Sequence, residues 1–223
     1  RFNGTTNKVI ISGGISGGIM RSTDAGVTWT RVSPDDDIHN LSALVQDPRA
    51  GFEDTWYAGG GEPIANSANA ADAFYLGFGI WKSTNNGVTW SKLTRSVTDI
   101  NGTTILGGGA LEAFDSPLDI IHKLTINPVN GDLYVAGHRR LIRSTNGGTS
   151  WNVVFTGTTA STSDVGQMDV VCTSTGKLYL GVNGGLPDTD KRGVWTSTNG
   201  TTWTRLAGGV TLGTDSVAGW RGN

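Results

Sequence analysis

The stretch STDAGVTW, Ser22 to Trp29, returns as STNNGVTW at Ser83 to Trp90, as STNGGTSW at Ser144 to Trp151 and, one residue shorter, as STNGTTW at Ser197 to Trp203. The starts of these boxes are spaced by 61, 61 and 53 residues. A stretch that recurs at such a period describes repeated structural units rather than one site.

Each box has the same surroundings. A short apolar strand precedes it (GGIMR, FGIWK, RLIRS, RGVWT) and another follows it (TWTRV, TWSKL, SWNVV, TWTRL). Period-two alternation places Ile19, Ile80, Leu141 and Val194 in register on one face, and Met20, Trp81, Ile142 and Trp195 on the other. Upstream lie two further strand candidates per unit: LSALVQDP with DTWYAGG, HKLTINP with DLYVAG, and QMDVVCTS with KLYLGV. Short antiparallel strands joined by Gly, Asn, Asp and Pro turns, four to a unit, predict an all-β fold: a β-propeller of four-stranded blades that bury their faces against one another. The expected layout of this one domain, residues 1–223, is a partial blade at 7–33, blades at about 38–95, 119–156 and 164–207, and the start of a further blade at 209–223, an incomplete arc of a larger propeller.

Within this layout the box is the hairpin between the third and fourth strands. The first Ser (Ser22, Ser83, Ser144, Ser197) and the third-position acceptor (Asp24, Asn85, Asn146, Asn199) are placed to bond turn amides, and Gly26, Gly87 and Gly148 supply a positive φ. Trp29, Trp90, Trp151 and Trp203 are expected to pack beneath the turn as plugs. Exchange of Asp24 for Asn in the later copies keeps an acceptor and drops the charge, as a structural cap permits.

The bulk composition removes several classes of function. A net charge of -2 gives no basic footprint for nucleic acid. No run of about 18 apolar residues spans a bilayer. One cysteine, Cys172 in MDVVCTS, excludes an internal disulfide and reads as a buried thiol. No cofactor is implied. His39, His122 and His138 lack metal-ligand spacing, and Asp35–Asp37 and Asp188–Asp190 read as solvated turn charges without the glycine and closing Glu of a calcium loop. The NxT/S triplets at Asn3, Asn40, Asn101 and Asn199 carry little information in so Asn- and Thr-rich a chain.

These boxes, in this strand context, resemble the Asp-box, or BNR, repeat. Across about residues 7 to 207, GGISGGIMRSTDAGVTWTRV, LSALVQDP and YAGGGEP look like blades of the sortilin-type and glycosidase-like propellers of secreted and cell-surface proteins. Sialidases, xyloglucanase-like glycosidases, sortilin-type receptors and a photosystem assembly factor share the box, so the resemblance implies a fold and an exported location without selecting an activity. Arg21, Lys82, Arg143 and Thr196 just before the boxes, and Arg31, Lys92 and Arg205 just after the Trp, follow the repeat. They read as surface positions of a blade and not as the arginine triad that a sialidase resemblance would imply.

Two long connections fall on the face away from the boxes, Gly61 to Gly79 and Thr94 to Asp119. They bring carboxylates (Glu62, Asp72, Asp99, Glu112, Asp115, Asp119) and aromatics (Phe74, Tyr75, Phe78, Phe114). A glycosidase needs two carboxyl groups about 5 to 9.5 Å apart beside aromatic platforms, and Glu62 with Glu112 or Asp115 is the candidate catalytic pair, with Asp72, Phe74, Tyr75 and Phe114 as candidate binding residues. The expectation from sequence is a rigid module that binds a glycan or a protein partner, with other domains of a larger chain as possible neighbours. A glycoside hydrolase and a purely structural module in a surface assembly are the alternatives.

Overall fold

A computed structural model of the chain describes residues 8–34, 40–61, 76–77, 79–94, 97–98, 104–105, 116–157, 167–182 and 191–207. These form four sheets and contain no α-helix. The first sheet has three strands, β1 (Ile10–Gly14), β2 (Gly18–Ser22) and β3 (Thr30–Arg31). The second runs β4 (Leu41–Gln46), β5 (Trp56–Gly60), β6 (Ile80–Ser83), β7 (Ser91–Lys92). Two short strands, β8 (Val97–Thr98) and β9 (Thr104–Ile105), precede β10 (Ile121–Ile126), β11 (Leu133–Gly137), β12 (Arg140–Ser144) and β13 (Asn152–Thr156) of the third sheet. The fourth is β14 (Met168–Cys172), β15 (Leu178–Val182), β16 (Gly193–Ser197), β17 (Thr204–Ala207). In each, the consecutive blade strands form an up-and-down antiparallel ladder: Tyr57 faces Lys82, Tyr134 faces Arg143 and Tyr179 faces Thr196 in equivalent registers. The chain is a partial β-propeller.

The blades bury their faces by stacking. Ile11 and Ile19 of the first sheet pack with Ala58, Trp81 and Trp90 of the second. Tyr57 and Ile80 of the second pack with Leu124, Ile142 and Trp151 of the third. Tyr134 and Leu141 of the third pack with Val170 and Leu180 of the fourth, and with half-buried Trp195 and Trp203. Ile19, Ile80 and Leu141 thus face the following blade, and Trp81, Ile142 and Trp195 face the preceding one, as the alternation requires.

Three placements depart from the sequence expectation. Trp90 and Trp151 are 7% and 1% exposed, but Trp29 is 40% exposed, because each Trp plugs against the blade before its own and the described residues place no sheet ahead of the first. The pre-box cations are half-buried between blades instead of on the surface: Arg21 Nε donates to the Asn86 carbonyl (2.8 Å), Lys82 Nζ to Gly147 (3.1 Å) and Arg143 Nη1 to Asn199 (3.2 Å). Finally, part of the second long connection adds to the third sheet, where β8 lies parallel to β13 with Thr98 opposite Asn152, beside the box. That segment belongs to the outer edge of a blade and to the box-bearing end.

Candidate functional site

The box is a closed network. Ser22 Oγ accepts from the Gly26 amide (2.8 Å) and donates to Asp24 Oδ1 (2.7 Å), which also accepts from the Thr28 amide (2.8 Å). The same set recurs at Ser83, Asn85, Gly87 and Thr89, and at Ser144, Asn146, Gly148 and Ser150. In the short fourth box Ser197 Oγ accepts from Gly200 (2.9 Å) and Asn199 Oδ1 from Thr202 (2.8 Å). The fourth box position is left-handed in each full copy, at Ala25 (φ 64), Asn86 (φ 56) and Gly147 (φ 65), which turns its carbonyl outward. For Asn86 and Gly147 that carbonyl is the acceptor of the preceding blade's cation.

The tyrosine beside each cation was not singled out from the sequence, although YAGG, YVAG and YLGV repeat in step with the boxes. Lys82 lies 5.3 Å from the Tyr57 ring centroid and Arg143 lies 5.8 Å from that of Tyr134. Burial pushes both phenols up to about 12 and lowers the Lys82 ammonium. Gly200 has room only for hydrogen, since a Cβ there would lie 1.9 Å from Tyr134 Oη. Lys82 and Arg143 bond across from one blade to the next.

The ends of the two long connections converge at the other end of the sheets. The Gly77 amide donates to the Asp119 carbonyl (2.6 Å), the Gly61 amide to Asn40 (2.8 Å) and the His138 amide to Pro117 (3.0 Å). Asn40 Nδ2 donates to the Leu76 carbonyl, so this sequon side chain is buried and already engaged. A Cβ on Gly61 would fall 2.4 Å from the Asp119 oxygen, so its positive φ (103) and its lack of a side chain let the two chain segments touch. Asp119 is 2% exposed and its Oδ2 accepts from the Ser116 amide (2.9 Å), which makes it a brace of this seat. The first connection leaves the seat at Gly61 and the second re-enters it at Ser116.

Glu62, Asp72, Phe74, Tyr75, Phe78, Asp99, Glu112, Phe114 and Asp115 lie outside the described residues, as do Asp35–Asp37, His39 and Asp188–Asp190. His138 is a buried residue of the β11–β12 turn and Cys172 is half-buried, its thiol pushed up by burial. Among the described residues no group of His, Cys, Asp or Glu could hold a metal ion, and a cavity of about 70 Å³ between the first two sheets, lined by Gly13, Leu41 and Ala58, is too small for a sugar.

The sheets and their stacking define a propeller module, and comparison with solved structures agrees. An ancestral GH74 enzyme superposes with a TM-score of 0.56 at 16% identity, covering 94% of this chain and 26% of that one. The chain thus spans about a quarter of that enzyme's length, and at this identity the likeness shows the fold alone. YCF48 bound to D1 peptide gives 0.44 at 15% identity, covering 84% of this chain and 45% of its own. The extracellular domain of a putative one-component system from B. thetaiotaomicron gives 0.49 at 10%, covering 89% and 24%. No family model and no curated protein matches the sequence. No described helix is long and apolar enough to cross a membrane.

Proposed function

We propose that the chain is part of an exported Asp-box propeller that binds a glycan or a protein partner on the face away from its boxes. The observation that carries this reading is the shared seat at Gly61, Gly77 and Asp119, from which both carboxylate- and aromatic-bearing connections depart. Converging loops on a rigid sheet scaffold are where binding residues concentrate. The boxes and inter-blade cations are consumed in holding that scaffold, which leaves the opposite end for a ligand.

A second reading, a glycoside hydrolase with Glu62 and either Glu112 or Asp115 as its acid and base, draws support from the likeness to the GH74 enzyme and from the same convergence. One experiment separates the two. The chain and a Glu62/Glu112/Asp115 triple-alanine variant are incubated with a panel of plant and bacterial polysaccharides while reducing ends and bound polymer are followed. Polymer retained without cleavage is the expected result. Reducing ends released by the parent and not by the variant establish the hydrolase, and neither retention nor release on any polymer removes the glycan from the proposal.

A further inference from the structure

The outer strands of the blades share one cross-strand pair. Met20 lies opposite Arg31, Trp81 opposite Lys92 and Trp195 opposite Arg205. The Lys92 ammonium sits 5.6 Å from the Trp81 ring centroid, and the Arg205 guanidinium 5.6 Å from that of Trp195. All three cations are exposed. The third blade departs from this pattern: its equivalent pair is Ile142 opposite Val153, both buried and neither charged.

Strand length changes at the same blade. β3 and β7 have two residues and β17 has four, whereas β13 runs for five, Asn-Val-Val-Phe-Thr, with no charge among them. An edge strand offers unpaired N–H and C=O groups to any passing strand, and proteins blunt it by shortness, by a cation or by a cover. β3 and β7 are short and carry a cation, and β17 carries one too. β13 has neither device. Among the described residues it is instead the one outer strand with a further strand beyond it, β8, which runs parallel with Thr98 opposite Asn152 and is itself paired with β9. Val97 of β8 has no exposure and belongs to the cluster of Ile142, Trp151 and Val153, in the joint between the second and third sheets. Its side chain thus takes the part that the ring and cation play at the outer rim of the second and fourth blades.

We propose that β8–β9 is the edge guard of the third blade, held over a self-pairing strand: when the guard detaches, β13 pairs antiparallel with β13 of a second copy of this chain. Two copies of β13 meet without opposed charges, whereas β3, β7 or β17 paired with its own copy would bring cations together. One residue pair and one buried valine hold the guard, while β10 to β13 pair along their lengths, so the guard opens before the blade does. The contact is isologous and stops at two molecules, because it consumes the open edge of both.

Two variants release the guard. Val97→Gly removes the anchoring side chain, and Thr98→Pro removes an amide from β8 while leaving Val97 in place. A third, Val97→Gly with Val153→Lys, gives β13 the cation of the other outer strands. Hydrogen exchange by mass spectrometry and sedimentation velocity are read on these and on the parent, with slow exchange in β11 showing that the third blade stays folded. Each single-site variant is expected to lose protection in β8 and to self-associate at least about 10-fold more tightly than the parent, and the double variant to return to the parent's association. Protection of β8 that survives in both single-site variants, release of β8 without tighter association, or association that persists in the double variant would each overturn the proposal.

Discussion

Asp24 performs the task of Asn85, Asn146 and Asn199 with the polarity of one bond reversed. The Thr28 hydroxyl donates to Asp24 Oδ2 (2.6 Å), whereas Asn85 Nδ2 donates to the Thr89 hydroxyl (2.8 Å) and Asn146 Nδ2 to that of Ser150 (2.8 Å). The hydroxyl rotates to suit either partner, which is why the box tolerates both residues. Only the first box consequently titrates. The Thr28 hydroxyl and amide, followed by the Ser22 hydroxyl, lower the Asp24 carboxyl from 3.8 to about 2. A folded pKa below the unfolded one stabilises fully above the unfolded value, and the contribution disappears as pH falls through the folded value. Between pH 5 and 2 the denaturant midpoint of the parent should therefore fall more steeply than that of Asp24→Asn, whose first box no longer releases a charge. Equal slopes in the two proteins would mean that the hydroxyl and amide bonds to Asp24 do not favour its ionised form.

At the scale of the hairpin, one local sequence gives different burial according to its neighbour. Trp90 and Trp29 each donate from Nε1 to the glycine carbonyl of their own box (3.2 and 3.0 Å), so their turns are alike. Trp90 is enclosed by the first sheet, and Trp90→Ala is expected to cost about 3 to 5 kcal/mol. Trp29→Ala should cost less than about 1 kcal/mol in dilute solution, since it removes a side chain from an open face. Urea melts of both variants check the order, and equal losses would show that something outside the described residues covers Trp29. The strands and boxes could be read from the sequence because alternation and turn chemistry act locally. Whether an alternating face meets solvent or another blade is not local, which is why Arg21, Lys82 and Arg143 read as surface residues. The β8–β9 hairpin did leave a signal, Asn101-Gly102 between VT and TI, inside a connection otherwise read as a loop. Glu62, Glu112 and Asp115 have no periodicity to fix them, and topology assigns only the end of the blade where their connections begin. The seat itself depends on a backbone contact between Gly61 and Asp119, 58 residues apart, that no pattern in either segment announces.

For the molecule as a series, stability should follow position. Among the described residues the packed clusters join each sheet to the next in sequence, so the array approximates a one-dimensional sum of blades and joints. Among the described residues the second and third sheets have a packed neighbour on both faces and the first and fourth on one, and core residues such as Val135, Ile142 and Leu141 have no exposure at all. Amides of β11 and β12 are expected to exchange slowest, and those of β2 and β16 faster. Arg21 offers a way to test whether the joints are independent, because its bond to Asn86 crosses only the first. Arg21→Met retains most of the aliphatic stem and loses the donor, a change of about 1 kcal/mol, or roughly fivefold in exchange. In a linear array this acceleration appears in the first sheet and fades by the third. If hydrogen exchange measured by mass spectrometry rose equally in all four sheets, the blades would instead open as one cooperative unit, and joint strength could not be assigned blade by blade.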